Sequence, residues 1–209
     1  MTTLLICNGE PPSRGLVRRL RRRADRLVAA DGGANAVRAL GLVPDLILGD
    51  LDSVTRATRR AFAHVPTIHI RSQDNTDLEK ALDHCAAEGD HAVIIAGATG
   101  RRIDMTLANL SVCWKYRSTM QLCVVGEDWY AVPVAGIRAF SASPGTTVSL
   151  IPFGPCAGVT LRGLKYPLVD AALRAGDVAV SNVVRGTRFS VSVKRGNLLV
   201  IVLTRFGEH

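Results

Sequence analysis

A change of rhythm near residue 126 constrains this chain more than any other feature. Before it, short apolar runs alternate with longer amphipathic segments; after it, only short runs of alternating or β-branched residues recur. Strands that alternate with helices build a mainly parallel sheet with helices on its faces. On this pattern, strands are expected at Thr3–Cys7, Arg26–Ala30, Leu46–Leu48, Thr67–Ile70, Ala92–Ala96 and Gln121–Val125, with helices at Ser13–Arg23, Ala34–Leu40, Thr55–Ala63, Thr76–Glu88 and Asp104–Tyr116. Gly, Pro, Asn or Asp frame each segment, where chain reversals need them. Beyond the change, Trp129–Val134, Thr146–Ile151, Gly158–Leu161, Val178–Ser181, Phe189–Val193 and Leu198–Leu203 read as strands punctuated by Gly and Pro, as in a sandwich or barrel. The expected fold class is α/β: a mainly parallel α/β/α domain over residues 1–128, then an all-β sandwich domain over 129–209.

Composition excludes several classes. With 209 residues and 47% hydrophobic content, the chain can bury a core, so disorder is not expected. Apolar runs such as Leu198–Leu203 and Ala92–Ala96 fall far short of the roughly 20 residues a membrane helix needs. The start, Met1-Thr2-Thr3-Leu4-Leu5-Ile6, has neither a basic leader nor a long apolar stretch, which points to a cytoplasmic protein. Cys7, Cys85, Cys113, Cys123 and Cys156 are scattered without a C-x-x-C pair, so free, mostly buried thiols are expected. His64, His69, His84, His91 and His209 show no metal-ligand spacing. The net charge of +8 suggests an anionic partner, and Arg14, Arg18, Arg19, Arg21, Arg22, Arg23 and Arg26 invite a nucleic-acid reading. These arginines alternate with Leu16, Val17 and Leu20 at helical spacing, which favours the solvated face of an amphipathic helix.

Ligands of open α/β sheets gather at the carboxyl ends of the strands, and the segments there are rich in Asp and Gly. Asp31-Gly32-Gly33-Ala34-Asn35 follows the second expected strand, Gly49-Asp50-Leu51-Asp52-Ser53 the third, Gln73-Asp74-Asn75-Thr76-Asp77 the fourth, and Gly97-Ala98-Thr99-Gly100-Arg101-Arg102-Ile103-Asp104 the fifth. Extended geometry at Asp50 and Asp52 would turn both carboxylates to one side, which suits one hard cation such as magnesium, with Asp77 completing the site. The competing reading is that Asp50 or Asp52 caps the helix beginning near Ser53. Asp74 and Asp77 flank a helix start, where one can cap while the other faces the rim. Asp31-Gly32-Gly33 bares backbone N–H groups beside a helix N-terminus, a place for phosphate or a ribose-bound group, or else a tight turn without a ligand. Arg101 and Arg102 can contact phosphates in pairs of hydrogen bonds, while Asp104 can orient one of them or cap the next helix. No Walker loop and no G-x-G-x-x-G occurs.

Taken in order, Asp31-Gly32-Gly33-Ala34-Asn35, Pro44-Asp45-Leu46-Ile47-Leu48-Gly49-Asp50-Leu51-Asp52-Ser53, Asp74-Asn75-Thr76-Asp77 and Gly97-x-x-Gly100-x-Arg102-x-Asp104 resemble the thiamine pyrophosphokinase family. The resemblance extends through Gly163-Leu164-Lys165-Tyr166-Pro167-Leu168 and Val180-Ser181-Asn182, which look like the family's thiamine-binding half. It implies transfer of the terminal diphosphoryl group of ATP to the hydroxyl of thiamine, giving thiamine diphosphate and AMP, in a homodimer with thiamine sites between subunits. It further implies Mg2+ held by Asp50, Asp52 and Asp77, with Asp52 or Asp74 to receive or orient the attacking hydroxyl. Asp31, Gly32, Asn35, Gln73, Thr99, Arg101, Arg102 and Asp104 would serve the nucleotide. Ser181 and Asn182 would hydrogen-bond the aminopyrimidine, and Tyr166 would pack on a thiamine ring; read without the resemblance, they are a turn and a core aromatic.

Two departures stand out. Gly100-Arg101-Arg102-Ile103-Asp104-Met105 replaces the family's frequent Gly-Gly-Arg-x-Asp-His, and Gln73 stands where many bacterial relatives carry Lys, a charge that Arg101 could replace. Two other functions compete: a diphosphokinase acting on another alcohol such as a pterin, and a nucleic-acid-binding module built on the arginine-rich helix, which leaves the aspartates unexplained.

Overall fold

A computed structural model describes residues 1–72, 74–177 and 179–207. It divides into two compact units, Met1–Glu127 and Asp128–His209. The result is a mixed α/β fold with a strand-rich C-terminal part. No helix among the described residues is long and apolar enough to cross a membrane.

In the first unit, β1 (Thr2–Ile6), β2 (Arg26–Ala30), β3 (Leu46–Gly49), β4 (Thr67–His69), β5 (Ala92–Ala96) and β6 (Gln121–Val125) alternate with α1 (Arg14–Arg21), α2 (Gly33–Ala39), α3 (Arg56–Ala61), α4 (Asp77–Ala87) and α5 (Ile103–Val112). All the strand pairings are parallel, in the order β4-β3-β2-β1-β5-β6. Leu5 lies opposite Val28 on one side and Ile95 on the other. A strand with neighbours on both edges is largely apolar, and Leu4, Leu5 and Ile6 are fully buried, with the buried hydroxyl of Thr3 satisfied by a hydrogen bond. The edge strand β4 is short and exposed along its whole length.

Polar side chains fix where the helices begin. Ser13 caps α1 by accepting from Leu16 N–H, Thr55 caps α3 by accepting from Thr58 N–H, and Thr76 caps α4 by accepting from Glu79 N–H. Capping by Asp50, Asp52, Asp74 or Asp77 is thereby overturned at α3 and α4. Leu16, Val17 and Leu20 are buried under α1 and Arg18 lies on its exposed face, whereas Arg19 is half-buried with Nε and one Nη shielded from solvent, so the solvated-face expectation holds only in part. α5 stops four residues short of the expected Tyr116, because beyond Val112 the backbone turns to tighter bonds such as Trp114 N–H to Ser111 O and Lys115 N–H to Val112 O.

At the amino end of the sheet, the fully buried carboxylate of Asp90 accepts from Thr3 Oγ1 and pairs with Arg26 at 2.9 Å. Burial opposes its ionisation, but the hydrogen bonds from Thr3 and Arg26 outweigh burial and hold it below the usual carboxylate range. A depressed folded-state pKa stabilises the fold fully above the unfolded value near ~4 and loses that contribution as pH falls through the folded value. Asp90→Asn is expected to cost about 2 kcal/mol at neutral pH and to flatten the acid limb of stability. Urea unfolding measured against pH checks this.

The second unit comprises β7 (Tyr130–Ser141), β8 (Thr147–Pro152), β9 (Cys156–Arg162), β10 (Leu168–Leu173), β11 (Asn182–Val183) and β12 (Arg188–Leu203). β12 fuses the two expected strands at Phe189–Val193 and Leu198–Leu203, with a register shift against β7 between Val193 and Leu198. Its first half also pairs with β9 and its second with β8. β10 was not expected, since Leu168-Val169-Asp170-Ala171-Ala172-Leu173 has little β-branched alternation. Of the expected strand Val178–Ser181, Val178 lies outside the described residues, and regular pairing begins only at Asn182. Val148, Leu150, Val159, Val191 and Leu198 form the buried centre, and Phe140 stacks on Phe189 at 4.8 Å between ring centres.

Candidate active site

In the first unit, β1 sits between β2 and β5, so the chain leaves the sheet's middle in one direction and later returns to build in the other. The loops diverge at this switch and open a crevice above the strand ends. A cleft of about 370 Å³ lies there, lined from β1 by Cys7, Asn8 and Gly9, from β2 by Asp31, from β3 by Ser53, from α4 by Asp77, and from the β5–α5 segment by Ala98, Gly100, Arg101, Arg102, Met105 and Asn109. The β1 segment and Asn109 were missed by sequence reasoning. Asn8-Gly9 directly follows the first expected strand, so the strand-end rule applied to the other four segments was the signal for it. Asn109 donates to Ala98 O at 2.8 Å, and its buried Oδ1 has no partner. The Cys7 thiol, pushed far up by burial and then by Cys113 and Asp77, is held as the thiol and is no nucleophile. All five cysteines are free and buried.

Three carboxylates converge here. One ligand oxygen each from Asp31, Asp50 and Asp77 lies within 4.8 Å of the others. Gly49 permits this approach: a Cβ there would stand 2.9 Å from Asp31 Cβ and 3.2 Å from Asp77 Oδ1. Lys80 Nζ bridges Asp77 Oδ1 at 3.0 Å and Asp50 Oδ2 at 3.3 Å. Burial, with the charges of Asp50 and Asp31, raises the Asp77 pKa in spite of the Lys80 hydrogen bond. Such mutual repulsion is what a cation relieves.

The expected extended geometry at Asp50 and Asp52 is not observed. Leu51 has φ 66°, so the chain turns between the two aspartates, and Asp31 takes the third place in the cluster where Asp52 was expected. Asp52 accepts the Ser53 hydroxyl at 2.9 Å, and Asp74 accepts that of Ser72 at 2.8 Å on an exposed turn.

Asn35 ties down the acidic loop with both ends of its amide. Nδ2 donates to Ser53 O at 2.8 Å, and Oδ1 accepts from Thr55 N–H at 3.1 Å. Arg59 holds the other side, donating to Leu51 O and, at 3.2 Å, to Val54 O. Both residues act on the loop's backbone, and Asn35 is absent from the cleft lining. Asn35→Ala is therefore expected to weaken divalent-ion binding about tenfold, or ~1.4 kcal/mol, by loosening Asp50. Mn2+ titration followed by electron paramagnetic resonance checks it.

Other expected residues divide between the cleft and its supports. Gly32 makes room for Asn8, whose Nδ2 would lie 2.3 Å from a Cβ at that position. The Thr99 carbonyl accepts from Glu10 N–H at 2.7 Å and does not line the cleft. Arg101, at φ 56°, and Arg102 both line it. Asp104 does not cap α5; it pairs with Arg102, whose Nε donates to Oδ1 at 3.1 Å, and that hydrogen bond lowers the Asp104 pKa. Gln73 lies outside the described residues.

In the second unit, Tyr166 is 58% exposed, which overturns the core-aromatic reading, and Lys165 Nζ stands 5.2 Å from its ring centre. Asn182 is buried and committed to backbone: Oδ1 accepts from Tyr166 N–H and Val183 N–H, each at 2.9 Å, and Nδ2 donates to Tyr166 O at 2.7 Å. It positions Tyr166. Ser181 is exposed at φ 60°.

Comparison with known proteins gives a consistent result. Residues 17–124 match the family model described as thiamin pyrophosphokinase, catalytic domain, and residues 138–198 that described as thiamin pyrophosphokinase, vitamin B1 binding domain. Thiamine pyrophosphokinase of Bacillus subtilis (strain 168) is 27% identical over 182 residues, covering 83% of this chain and 85% of that protein. Thiamine pyrophosphokinase 2 of Arabidopsis thaliana is 30% identical over 180 residues, covering 78% and 67% respectively. The crystal structure of the Bacillus subtilis enzyme superposes with a TM-score of 0.84 at 25% identity, covering 98% of this chain and 99% of that one.

Proposed function

Because the chain belongs to the thiamine pyrophosphokinase family, we propose that its first unit binds ATP with a divalent cation at Asp31, Asp50 and Asp77 and that its second unit holds thiamine. The convergence of these three carboxylates at the sheet's switch point carries the reading. Magnesium favours a few carboxylate oxygens completed by water and phosphate, and the absence of a Cβ at Gly49 leaves the room such a cluster needs. Bound there, the ion would neutralise phosphate charge during transfer.

The reaction joins the thiamine hydroxyl oxygen to the β-phosphorus of ATP and breaks that phosphorus's bond to the oxygen bridging it to the α-phosphate. AMP leaves and the hydroxyl proton passes to a base. Arg101 and Arg102 face the phosphates from the β5–α5 segment, with Asp104 steadying Arg102. Asn109 Oδ1, buried without a partner, offers an acceptor to a nucleotide N–H or O–H. Asp52, on the same loop as Asp50, is assigned to orient the thiamine hydroxyl. Asp74 is assigned a supporting part beside the start of α4. Tyr166 offers a ring face to the cationic thiazolium, with Ser181 alongside.

A homodimer belongs to this proposal, as membership of the family implies. The strand-rich unit is read as a sandwich because β12 pairs with different partners along its two halves. A cytoplasmic location accords with an ATP-using reaction.

Incubation with ATP, Mg2+ and either thiamine or a pterin alcohol tests the acceptor. Thiamine diphosphate from the first and no product from the second is expected; product from the pterin alone would overturn the assignment. Arg101→Ala is expected to raise the KM for ATP about tenfold while leaving that for thiamine within about twofold, since this guanidinium meets phosphate only. Steady-state kinetics against each substrate checks it.

A further inference from the structure

The acidic cluster includes one buried group that cation binding by carboxylates does not require. Lys80 lies one turn into α4, its side chain only 3% exposed, between Asp77 on its own helix and Asp50 on the β3 loop. A lysine is almost never buried this completely without a partner, and here it has two. The i,i+3 spacing places Lys80 and Asp77 on one helix face. Three carboxylates with oxygens inside 4.8 Å of one another repel strongly when all are ionised. One ammonium leaves the four groups with two uncompensated negative charges, the charge one divalent cation balances.

We propose that Lys80 is the resident counter-cation of this site: it holds Asp50 and Asp77 converged when no divalent ion is bound, and it sets the charge that an arriving ion meets. The inference rests on the assignment of Asp31, Asp50 and Asp77 to a divalent cation. It makes Lys80 a positioning residue, and it separates two roles that activity alone would merge. A lysine that only ties α4 to the β3 loop would leave metal affinity unchanged when replaced by a similar-sized side chain. One that touches phosphate would alter the KM for ATP and leave metal binding to the nucleotide-free protein as it was.

Mn2+ binding to nucleotide-free protein, followed by electron paramagnetic resonance, and thermal unfolding in chelator or saturating Mg2+ distinguish these cases. In Lys80→Met, Mn2+ should bind about tenfold tighter or more, because a competing positive charge has gone. The same variant should melt several degrees lower in chelator, with Mg2+ restoring most of the loss. Lys80→Arg, which keeps the charge, should bind Mn2+ as the native protein does. If Lys80→Met alone does not fold, the substitution is read in an Asp50→Asn background, where the double variant should bind Mn2+ more tightly than Asp50→Asn. Equal Mn2+ affinity with and without Lys80, or a stability loss that Mg2+ does not reduce, overturns the inference. Failure of the native protein itself to bind Mn2+ would remove the metal assignment, and this inference with it.

Discussion

Asp50→Asn is expected to lower kcat/KM for thiamine diphosphate formation by about a thousandfold or more while the fold is retained. The substitution keeps the size of the side chain and removes one of the three charges converging within 4.8 Å, leaving Lys80 to pair with Asp77 alone. The loop itself should stay in place, because Asn35 and Arg59 hold it through Ser53 O, Thr55 N–H, Leu51 O and Val54 O, none of which is changed. The remaining turnover should lose its dependence on Mg2+ concentration. Steady-state rates over a range of Mg2+, with circular dichroism to verify the fold, make the test. Activity within about threefold of the native enzyme would place the metal elsewhere.

The largest stability effect is expected at Gly33→Ala. This residue opens α2 directly over the end of β1, and a Cβ there would lie 2.1 Å from Ile6 O and 2.8 Å from Ile6 C. Both obstacles are backbone of the central strand, which is buried and paired on both sides, so neither can swing aside. α2 would have to move away from the sheet and drag Asp31 and Asn35 with it. A loss of about 3 kcal/mol or more is expected, which for a chain of this size lowers the melting temperature by roughly 6–12 °C. Differential scanning calorimetry measures it, and a shift under about 2 °C would mean that helix and strand are not packed this closely.

Much of the first unit was legible because its strands are apolar on both faces and its helices carry one buried stripe, patterns that periodicity reports directly. Leu4-Leu5-Ile6 and Leu16, Val17 and Leu20 are such cases. The acidic rim was legible as a set of loops at strand ends. What could not be read was the direction of individual side chains, which depends on backbone torsions. Leu51 at φ 66° undoes the alternation that would have paired Asp50 with Asp52, and Asp31 at φ 43° stands with Asp50 and Asp77 in place of Asp52. Lys80 was missed because its burial depends on α4 lying against the β3 loop, a tertiary fact. Asn35 and Asn182 bear polar amides in motif positions, yet both spend them on neighbouring backbone, and only the three-dimensional partners reveal this. In the second unit, the joining of two short patterns into β12 hid a bend that still keeps the strand paired.

The most direct test of diphosphoryl transfer follows both outer phosphorus atoms of ATP. With ATP labelled separately at the β- and γ-phosphorus and thiamine in excess, both labels should appear together in thiamine diphosphate, AMP should form in equal amount, and neither should form without Mg2+. Formation of ADP with only the γ-label on thiamine, or transfer unaffected by removing Mg2+, would contradict the account.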